Sequence, residues 1–355
     1  MKVMTLMGTR PEIIRLSRVI AKLDSVCNHI LVYTNQNYDY NLSGKFFDEM
    51  NIRKPNYYFN IKSNSFAEFL SHSFIEFEKI LLAERPDRLL VLGDTNSGLL
   101  TLIANRFKIP IYHMEAGNRC FDERTPEEIN RKLIDTLSTY NLPYTEDSKN
   151  ILLRDGFHPN FVFKTGNPIF EVIRHYEKQI DNSDILSKLG VISDQYVLVT
   201  LHRSENVDNL HTLKGIINAI NIIADEYEVI LSLHPRTKDK INKYNLKLSP
   251  SIIVSEPFGF FDFVNLEQNA VCVITDSGTV QEECCILHTP ALIIRNTTER
   301  RETIECGASI LCGTDINDIL QSFKYSITMD TNWSIPNDYI KTNVADIVVN
   351  ILVGK

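Results

Sequence analysis

Short apolar runs rich in Val, Ile and Leu alternate along this chain with longer amphipathic stretches. In the first half, Val3–Met7, Ile30–Tyr33, Arg88–Leu92 and Pro110–Met114 read as strands. Between them Pro11–Leu23, Phe66–Ala83 and Ser97–Phe107 carry apolar residues at helical spacing. The second half repeats the pattern. Strands are expected at Tyr196–Leu201, Val229–Leu233, Ile252–Val254, Val271–Thr275 and Ala291–Ile294, and helices at Leu210–Asp225, Thr279–Leu287 and Ile316–Ser326. Tyr339–Val353 ends the chain with helical spacing. Continuous apolar strands alternating with helices predict parallel sheets covered on both faces. The turn-rich Gly166–Asn167–Pro168 marks the break between the halves. The pattern predicts an α/β chain of two doubly wound domains across a cleft, with ligands beyond the carboxyl ends of the strands.

Composition narrows the function. A chain of 355 residues is long enough for two domains, and its 43% hydrophobic and 23% charged content is globular. No apolar run approaches the roughly 18–20 residues of a membrane helix. The opening MKVMTLMGTRPE lacks a small-residue cleavage site, so a first buried strand is expected and not a signal peptide. The net charge of −8 argues against a general nucleic-acid binder, so any phosphate site must be a local pocket. The seven cysteines, Cys27, Cys120, Cys272, Cys284, Cys285, Cys306 and Cys312, contain no CxxC spacing. Reduced, mostly buried thiols in the cytoplasm are expected, with neither a disulfide framework nor a zinc site.

Candidate chemistry sits where strands end. Gly8–Thr9–Arg10–Pro11–Glu12 offers a tight turn, a helix N-terminus and Arg10, which together favour an anion; a plain strand–helix turn is the competing reading. It is neither GxGxxG nor a Walker loop, so nicotinamide and ATP chemistry lose support. In Leu92–Gly93–Asp94–Thr95–Asn96, Asp94 either caps the next helix or supplies a carboxylate to the site. His113–Met114–Glu115–Ala116–Gly117–Asn118–Arg119 adds a carboxylate, a glycine and an arginine. Pro126–Glu127–Glu128–Ile129–Asn130–Arg131 opens a helix, with Glu127 and Arg131 on one face at i, i+4; a structural salt bridge would look the same.

The second half offers cations and a turn. His202, in Leu201–His202–Arg203–Ser204–Glu205–Asn206, is either a phosphate donor and acid or a structural histidine. His234–Pro235–Arg236 repeats the pairing of His with Arg, without metal-ligand spacing. In Thr275–Asp276–Ser277–Gly278–Thr279–Val280–Gln281–Glu282–Glu283, Ser277 and the amides at Gly278 and Thr279 suit a diphosphate, and Glu283 suits ribose hydroxyls; a capping box fits equally. Arg295 to Arg301 brings further cations, among them Arg300. Phe258, Phe260, Phe261 and Phe263 form an aromatic cluster for a core or a base edge.

GTRPE, TNQNYDY, LGDTNS, HMEAGNR, PEEINR, LHRSEN, TDSGTVQEE and TTER, in this order, resemble the non-hydrolysing UDP-N-acetylglucosamine 2-epimerase family. GNRCFDERTPEEINRK, NLPYTEDS and EPFGFFDF look closer to the branch that makes UDP-N-acetyl-L-fucosamine, similar to UDP-2-acetamido-2,6-dideoxy-L-talose 2-epimerase. The resemblance implies a GT-B-type fold of two Rossmann-like domains with a cleft between. Residues 1–168 plus a C-terminal crossing helix 339–355 would carry the sugar-side carboxylates, and 169–338 would bind UDP. It implies Asp94, Glu115, Glu127, Arg131 and His202 as catalytic. It implies Arg10, Phe263, Ser277, Gly278, Glu283 and Arg300 as substrate-binding, to which the His-near-Arg pairing adds His234. It also implies a homodimer, a UDP-sugar substrate, and neither cofactor nor metal. Arg15 stands where the family commonly has Lys, Ser204 where Glu or Arg is usual, and Arg301 where Pro usually follows TTER. Gln36 lies in the region tied to allosteric activation in some members, but TNQNYDY differs enough that activation is not expected.

The implied reaction is elimination of UDP to a glycal with a C1–C2 double bond, then re-addition with a proton entering C2 from the opposite face. The product would feed surface polysaccharide synthesis. A GT-B glycosyltransferase, a hydrolysing epimerase and a UDP-sugar sensor remain the alternatives, because one fold hosts several reactions.

Overall fold

The computed structural model describes residues 1–34, 40–61, 63 and 65–354. Gln36 and most of TNQNYDY lie outside them. The chain forms two units, 1–174 with 338–355, and 175–337. The division falls after the turn Gly166–Asn167–Pro168. Helix Ile169–His175 buries Ile169, Val172 and Ile173, and its Glu171 Oε2 accepts the Ala345 N–H at 2.9 Å, which holds this helix to the first unit.

The first unit carries six parallel strands: β1 (Lys2–Met7), β2 (Asn28–Tyr33), β3 (Tyr57–Tyr58), β4 (Arg88–Leu92), β5 (Ile111–Met114) and β6 (Tyr140–Leu142). Their order is β3-β2-β1-β4-β5-β6. The second unit has β7 (Tyr196–Leu201), β8 (Glu228–Leu233), β9 (Ile252–Ser255), β10 (Cys272–Thr275), β11 (Ala291–Ile293) and β12 (Ser309–Leu311), ordered β12-β11-β10-β7-β8-β9. Each order is that of a dinucleotide-type Rossmann sheet, and in each the strand order reverses beside the first strand, between β1 and β4 and between β7 and β10. The fold is GT-B-type: two Rossmann-like α/β units in one chain.

The strands are apolar on both faces because both faces are covered. In the second sheet Val197, Val199, Leu231 and Ile274 enter one core cluster, while Tyr196, Leu198, Ile230 and Val273 enter another. β3, β6 and β12 were not expected from the sequence; at two or three residues they are too short to show a period.

Two expected helices differ in form. Ser97–Phe107 opens as a 3₁₀ turn, Asn96–Leu100, before an α-helix at Thr101–Arg106. A Cβ at Gly98 would lie 2.3 Å from Ile134 Cδ1, so this turn presses directly on its neighbouring helix. Within Tyr339–Val353 only Val344–Val353 is helical. The segment before it is spent on tertiary bonds: the Asp338 carbonyl accepts the Asn167 N–H at 2.9 Å and its carboxylate accepts the Glu146 N–H at 3.0 Å. Helix Val344–Val353 packs on helix Arg10–Val26, with Lys22 Nζ 2.5 Å from Asp346. No helix among the described residues is long and apolar enough to cross a membrane.

Candidate active site

In the first unit, loops after β1, β4 and β5 gather at the carboxyl edge beside the reversal of strand order. Thr9 caps helix Arg10–Val26 in a capping box with Glu12. Glu12 Oε2 accepts the Gly8 N–H at 3.0 Å, the Thr9 N–H at 2.8 Å and the Thr9 hydroxyl at 2.7 Å. Its Oε1 accepts the Thr95 hydroxyl at 3.2 Å, which ties the first loop to the Asp94 loop. Burial pushes this carboxyl up to about 7, against the hydrogen bonds from Thr9, Gly8 and Thr95 that favour the anion. Arg10, the first residue of the helix, is half-buried, with its guanidinium 5.6 Å from the Phe46 ring centre.

Asp94 and Glu115 each stand against a buried arginine. Arg131 Nε is 3.1 Å from Asp94 Oδ2, with Nη2 bonded to the same oxygen, and Arg131 Nη1 is 3.0 Å from Glu128 Oε2. Arg15 Nη1 is 3.2 Å from Glu115 Oε2, and Asn118 Nδ2 donates to Glu115 Oε1 at 3.3 Å. Glu115 has φ +68°, a left-handed conformation that costs a non-glycine residue about 1 kcal/mol or more. A Cβ at Gly93 would lie 3.7 Å from Glu115 Oε2, so the β4 and β5 loops meet at these carboxylates.

The i, i+4 spacing of Glu127 and Arg131 does not become an ion pair between them. Arg131 is engaged with Asp94 and with Glu128, its neighbour at i, i+3. Glu128 is fully buried and also accepts the Cys120 N–H at 2.9 Å. Glu127 is half-buried and makes no ion pair among the described residues. Adjacent glutamates cannot be ranked by spacing alone, since i, i+3 and i, i+4 both share a helix face. Sequence reading also missed the support behind the loops. Buried Asp135 meets His113 Nδ1 at 2.8 Å, the Gly117 N–H at 3.3 Å and Arg119 Nη1 at 2.8 Å, while His113 Nε2 is 2.8 Å from the Gly93 carbonyl.

In the second unit Asp276, at the end of β10, bridges to the loop after β7 across the reversal of strand order. Its carboxylate accepts the main-chain N–H of His202 at 3.1 Å and of Arg203 at 3.0 Å, and Asn206 Nδ2 at 3.2 Å. His202 Nδ1 lies 3.1 Å away. Burial alone would raise this carboxyl, but His202 and Arg203 beside it hold it down at about 2. An anionic Asp276 accepts a hydrogen bond from His202 Nδ1–H and leaves Nε2 as the nitrogen available to a ligand. His202 is 36% exposed, and its ring centre is 5.8 Å from that of His234. His234 Nδ1 accepts the Arg236 N–H at 3.2 Å and so caps helix Pro235–Lys243.

Ser277 precedes helix Gly278–Leu287, and its Oγ is 3.0 Å from Thr279 Oγ1. A Cβ at Gly278 would sit 2.7 Å from Glu299 Oε1, and Glu299 is itself held by Arg295 at 2.7 Å. The main chain at Gly278 therefore has no room for a side chain. Glu283 is buried one turn into this helix, and Arg300 Nε pairs with Glu282 Oε1 at 2.6 Å. Phe263 is half-buried against a core cluster, on helix Phe260–Gln268, whereas Phe258 and Phe260 are buried. In the second unit the Ser277–Gly278 turn, His202 and Arg300 follow β10, β7 and β11, and in the first unit Arg10, Asp94 and Glu115 follow β1, β4 and β5, with Glu127 on the helix after them. Among the described residues no cluster of three or more His, Cys, Asp or Glu is placed to hold a metal ion.

Comparisons with known proteins agree with this fold. The family profile "UDP-N-acetylglucosamine 2-epimerase" matches residues 21–353. The UDP-N-acetylglucosamine 2-epimerase of Methanocaldococcus jannaschii is 42% identical over 348 residues, 95% of each chain. A crystal structure from that organism, described as UDP-GlcNAc 2-epimerase in complex with UDP-GlcNAc and UDP, superposes with a TM-score of 0.95 at 40% identity over 100% of both chains. Acinetobacter baumannii MurG, at 10% identity, TM-score 0.52 and 99% of each chain, shares the fold alone. These relatives carry the N-acetylglucosamine name and do not single out the L-fucosamine branch that parts of the sequence resemble. On the match across most of its length, the chain belongs to the UDP-N-acetylglucosamine 2-epimerase family, enzymes of the isomerase class.

Proposed function

We propose that the chain interconverts UDP-N-acetylglucosamine and UDP-N-acetylmannosamine, inverting C2 by eliminating and re-adding UDP without a cofactor. The observation that carries this reading is the contrast among three carboxylates: Asp94 and Glu115 are braced by arginines, while Glu127 has no cation against it among the described residues. The C2 proton has no carbonyl alpha to it and is not acidic. As the C1–O bond to UDP breaks, C1 gains oxocarbenium character and the C2 proton can pass to a carboxylate, leaving UDP and a glycal. UDP then re-forms the C1–O bond while a proton enters C2 from the other face. Glu127 accepts the proton in one direction, and Asp94 and Glu115, held by Arg131 and Arg15, serve the opposite face. In the second unit Ser277, the Gly278 amide, His202 and Arg300 hold the diphosphate, with the His234 ring beside that of His202; in the first unit Arg10 binds the substrate. Glu283 holds the ribose hydroxyls, and Phe263 borders the base.

The test is incubation with UDP-N-acetylglucosamine in deuterated water, followed by NMR. Deuterium at C2 with UDP-sugar retained supports the reading. Free sugar means a hydrolysing epimerase, and no turnover means a transferase or a sensor. Exchange confined to UDP-2-acetamido-2,6-dideoxy-L-talose would move the substrate to the L-fucosamine branch.

We further propose that the enzyme works as a homodimer. Helices Phe66–Glu84, Thr101–Arg106 and Pro126–Leu137 pack side by side and expose Ile75, Leu82, Leu102, Ile129 and Leu133. Apolar side chains exposed on neighbouring helices favour a second copy as their cover. Light scattering should give twice the chain mass, and Leu82→Asp with Leu133→Asp should halve it.

A further inference from the structure

Two cysteines outside the residues assigned above face each other in the second unit. Cys285 lies on helix Gly278–Leu287 and Cys306 follows helix Arg301–Glu305. Their Sγ atoms are 3.6 Å apart, although the residues are 21 positions apart in sequence. A disulfide needs a sulfur separation of about 2.05 Å, so the two sulfurs already in contact must close the remaining gap. Cys285 is fully buried, whereas Cys306 is half-buried. The hydrogen bond from Cys285 lowers the Cys306 thiol to about 7, and the same bond together with burial drives Cys285 upward. A half-buried sulfur thus stands against a buried one, the arrangement of an attacking and a resolving cysteine.

We propose that Cys285 and Cys306 form a peroxide-sensitive dithiol that closes to a reversible disulfide. The Cys306 thiolate attacks one oxygen of hydrogen peroxide; the O–O bond breaks, the departing hydroxide takes up a proton as water, and Cys306 becomes a sulfenic acid. Cys285 sulfur, giving up its proton, then attacks the Cys306 sulfur; the S–O bond breaks and a second water leaves. Peroxide is reduced by two electrons and the two thiols are oxidised by two. A dithiol reductant reverses the bond. The bridge joins the segments that bear Gly278 and Arg300, which already meet where Gln281 Nε2 donates to Thr303 Oγ1 at 2.5 Å. Oxidation would therefore fix the helix of the proposed diphosphate turn against the Arg300 segment. The thiol chemistry itself does not depend on the proposed substrate.

The chain carries its own reporter. Its single tryptophan, Trp333, donates from Nε1 to the Cys285 carbonyl at 3.0 Å. Purified protein should be treated with hydrogen peroxide, then analysed by intact mass, peptide mapping and Trp333 emission. The expected result is loss of two hydrogens, a crosslinked Cys285–Cys306 peptide and a drop in emission, all reversed by dithiothreitol. Cys306→Ser should show neither mass loss nor emission change. Cys285→Ser should instead gain one oxygen at Cys306, trapped by dimedone. Wild-type protein that gains oxygen without losing two hydrogens overturns the proposal. So does a crosslink to another cysteine or between two copies on a non-reducing gel. The wild-type peptide map decides the matter even if a variant fails to fold.

Discussion

Arg15 and Glu115 form a buried ion pair, with Nη1 3.2 Å from Oε2 and Arg15 only 1% exposed. The arginine also lies 5.8 Å from the Tyr144 ring centre, so its position is set by packing as well as by charge. Its partner sits at φ +68°, a conformation held only because its surroundings fix it. Arg15, with Asn118, therefore aims a carboxylate at the sheet edge.

Replacing Arg15 with Met should leave the buried Glu115 carboxylate without its arginine. The expected cost is about 3–5 kcal/mol, the usual penalty for removing one partner of a buried pair. The double variant Arg15→Met with Glu115→Gln removes both charges and should recover most of that stability. Neither should recover turnover, because the carboxylate is missing or misaligned. Thermal melting and C2 deuterium exchange separate the two effects. Full stability in the single variant would mean that Glu115 does not rely on Arg15.

Glu12 offers a test through pH. Its folded pKa of about 7 lies above the ordinary 4.5, so the native state holds a proton that the unfolded chain has released between those values. Stability from this group is complete below about pH 4.5 and is lost as pH rises through 7. Relative to Glu12→Gln, which does not titrate, the wild type should lose up to about 3 kcal/mol between pH 5 and 8. Melting curves of both proteins across that range give the difference directly. A constant gap would show that the hydrogen bonds from Gly8, Thr9 and Thr95 hold Glu12 as an ordinary carboxylate.

Much of this was readable from the chain because parallel sheets make simple demands. Buried strands need unbroken apolar runs, and Arg88–Leu92 and Tyr196–Leu201 fall where those runs lie. The strand-end loops were marked by Gly, Asp and Arg at the turns, so Asp94, Glu115, His202 and Ser277 could be picked out before any contact was known. What sequence could not show was partnership. Arg131 had two glutamates and an aspartate to choose from, and only tertiary packing gives it Asp94 and Glu128. Asp276 read as one polar residue in a turn, yet it is the buried anion that anchors His202. The short strands β3, β6 and β12 were invisible for a related reason, since pairing and not local periodicity creates them.

Gly278→Ala probes the proposed diphosphate turn. The new Cβ would fall 2.7 Å from Glu299 Oε1, and that carboxylate is pinned by Arg295 and cannot swing away cheaply. The turn must shift, and its amide moves from the anion it is proposed to hold. UDP affinity should fall about tenfold, or 1.4 kcal/mol, while melting temperature changes little. Calorimetric titration with UDP measures this. Unchanged affinity would remove the Gly278 amide from the site.

Asp276 should show the opposite pH dependence to Glu12. Its folded pKa of about 2 lies below the ordinary 3.8, so its charge stabilises the fold above pH 3.8 and that contribution disappears as pH falls through 2. The titrating part amounts to about 2 kcal/mol. Asp276→Asn should therefore be least stable relative to wild type near neutrality, and the gap should narrow below pH 4 in acid denaturation. The same substitution takes the anion away from His202 Nδ1, so the ring loses the bond that fixes its tautomer. Turnover should fall by roughly a hundredfold or more, as for other lost imidazole anchors, with UDP still bound. If the variant turned over normally while losing stability, His202 would hold its orientation without Asp276, and the pair would be a structural bond and not part of the reaction.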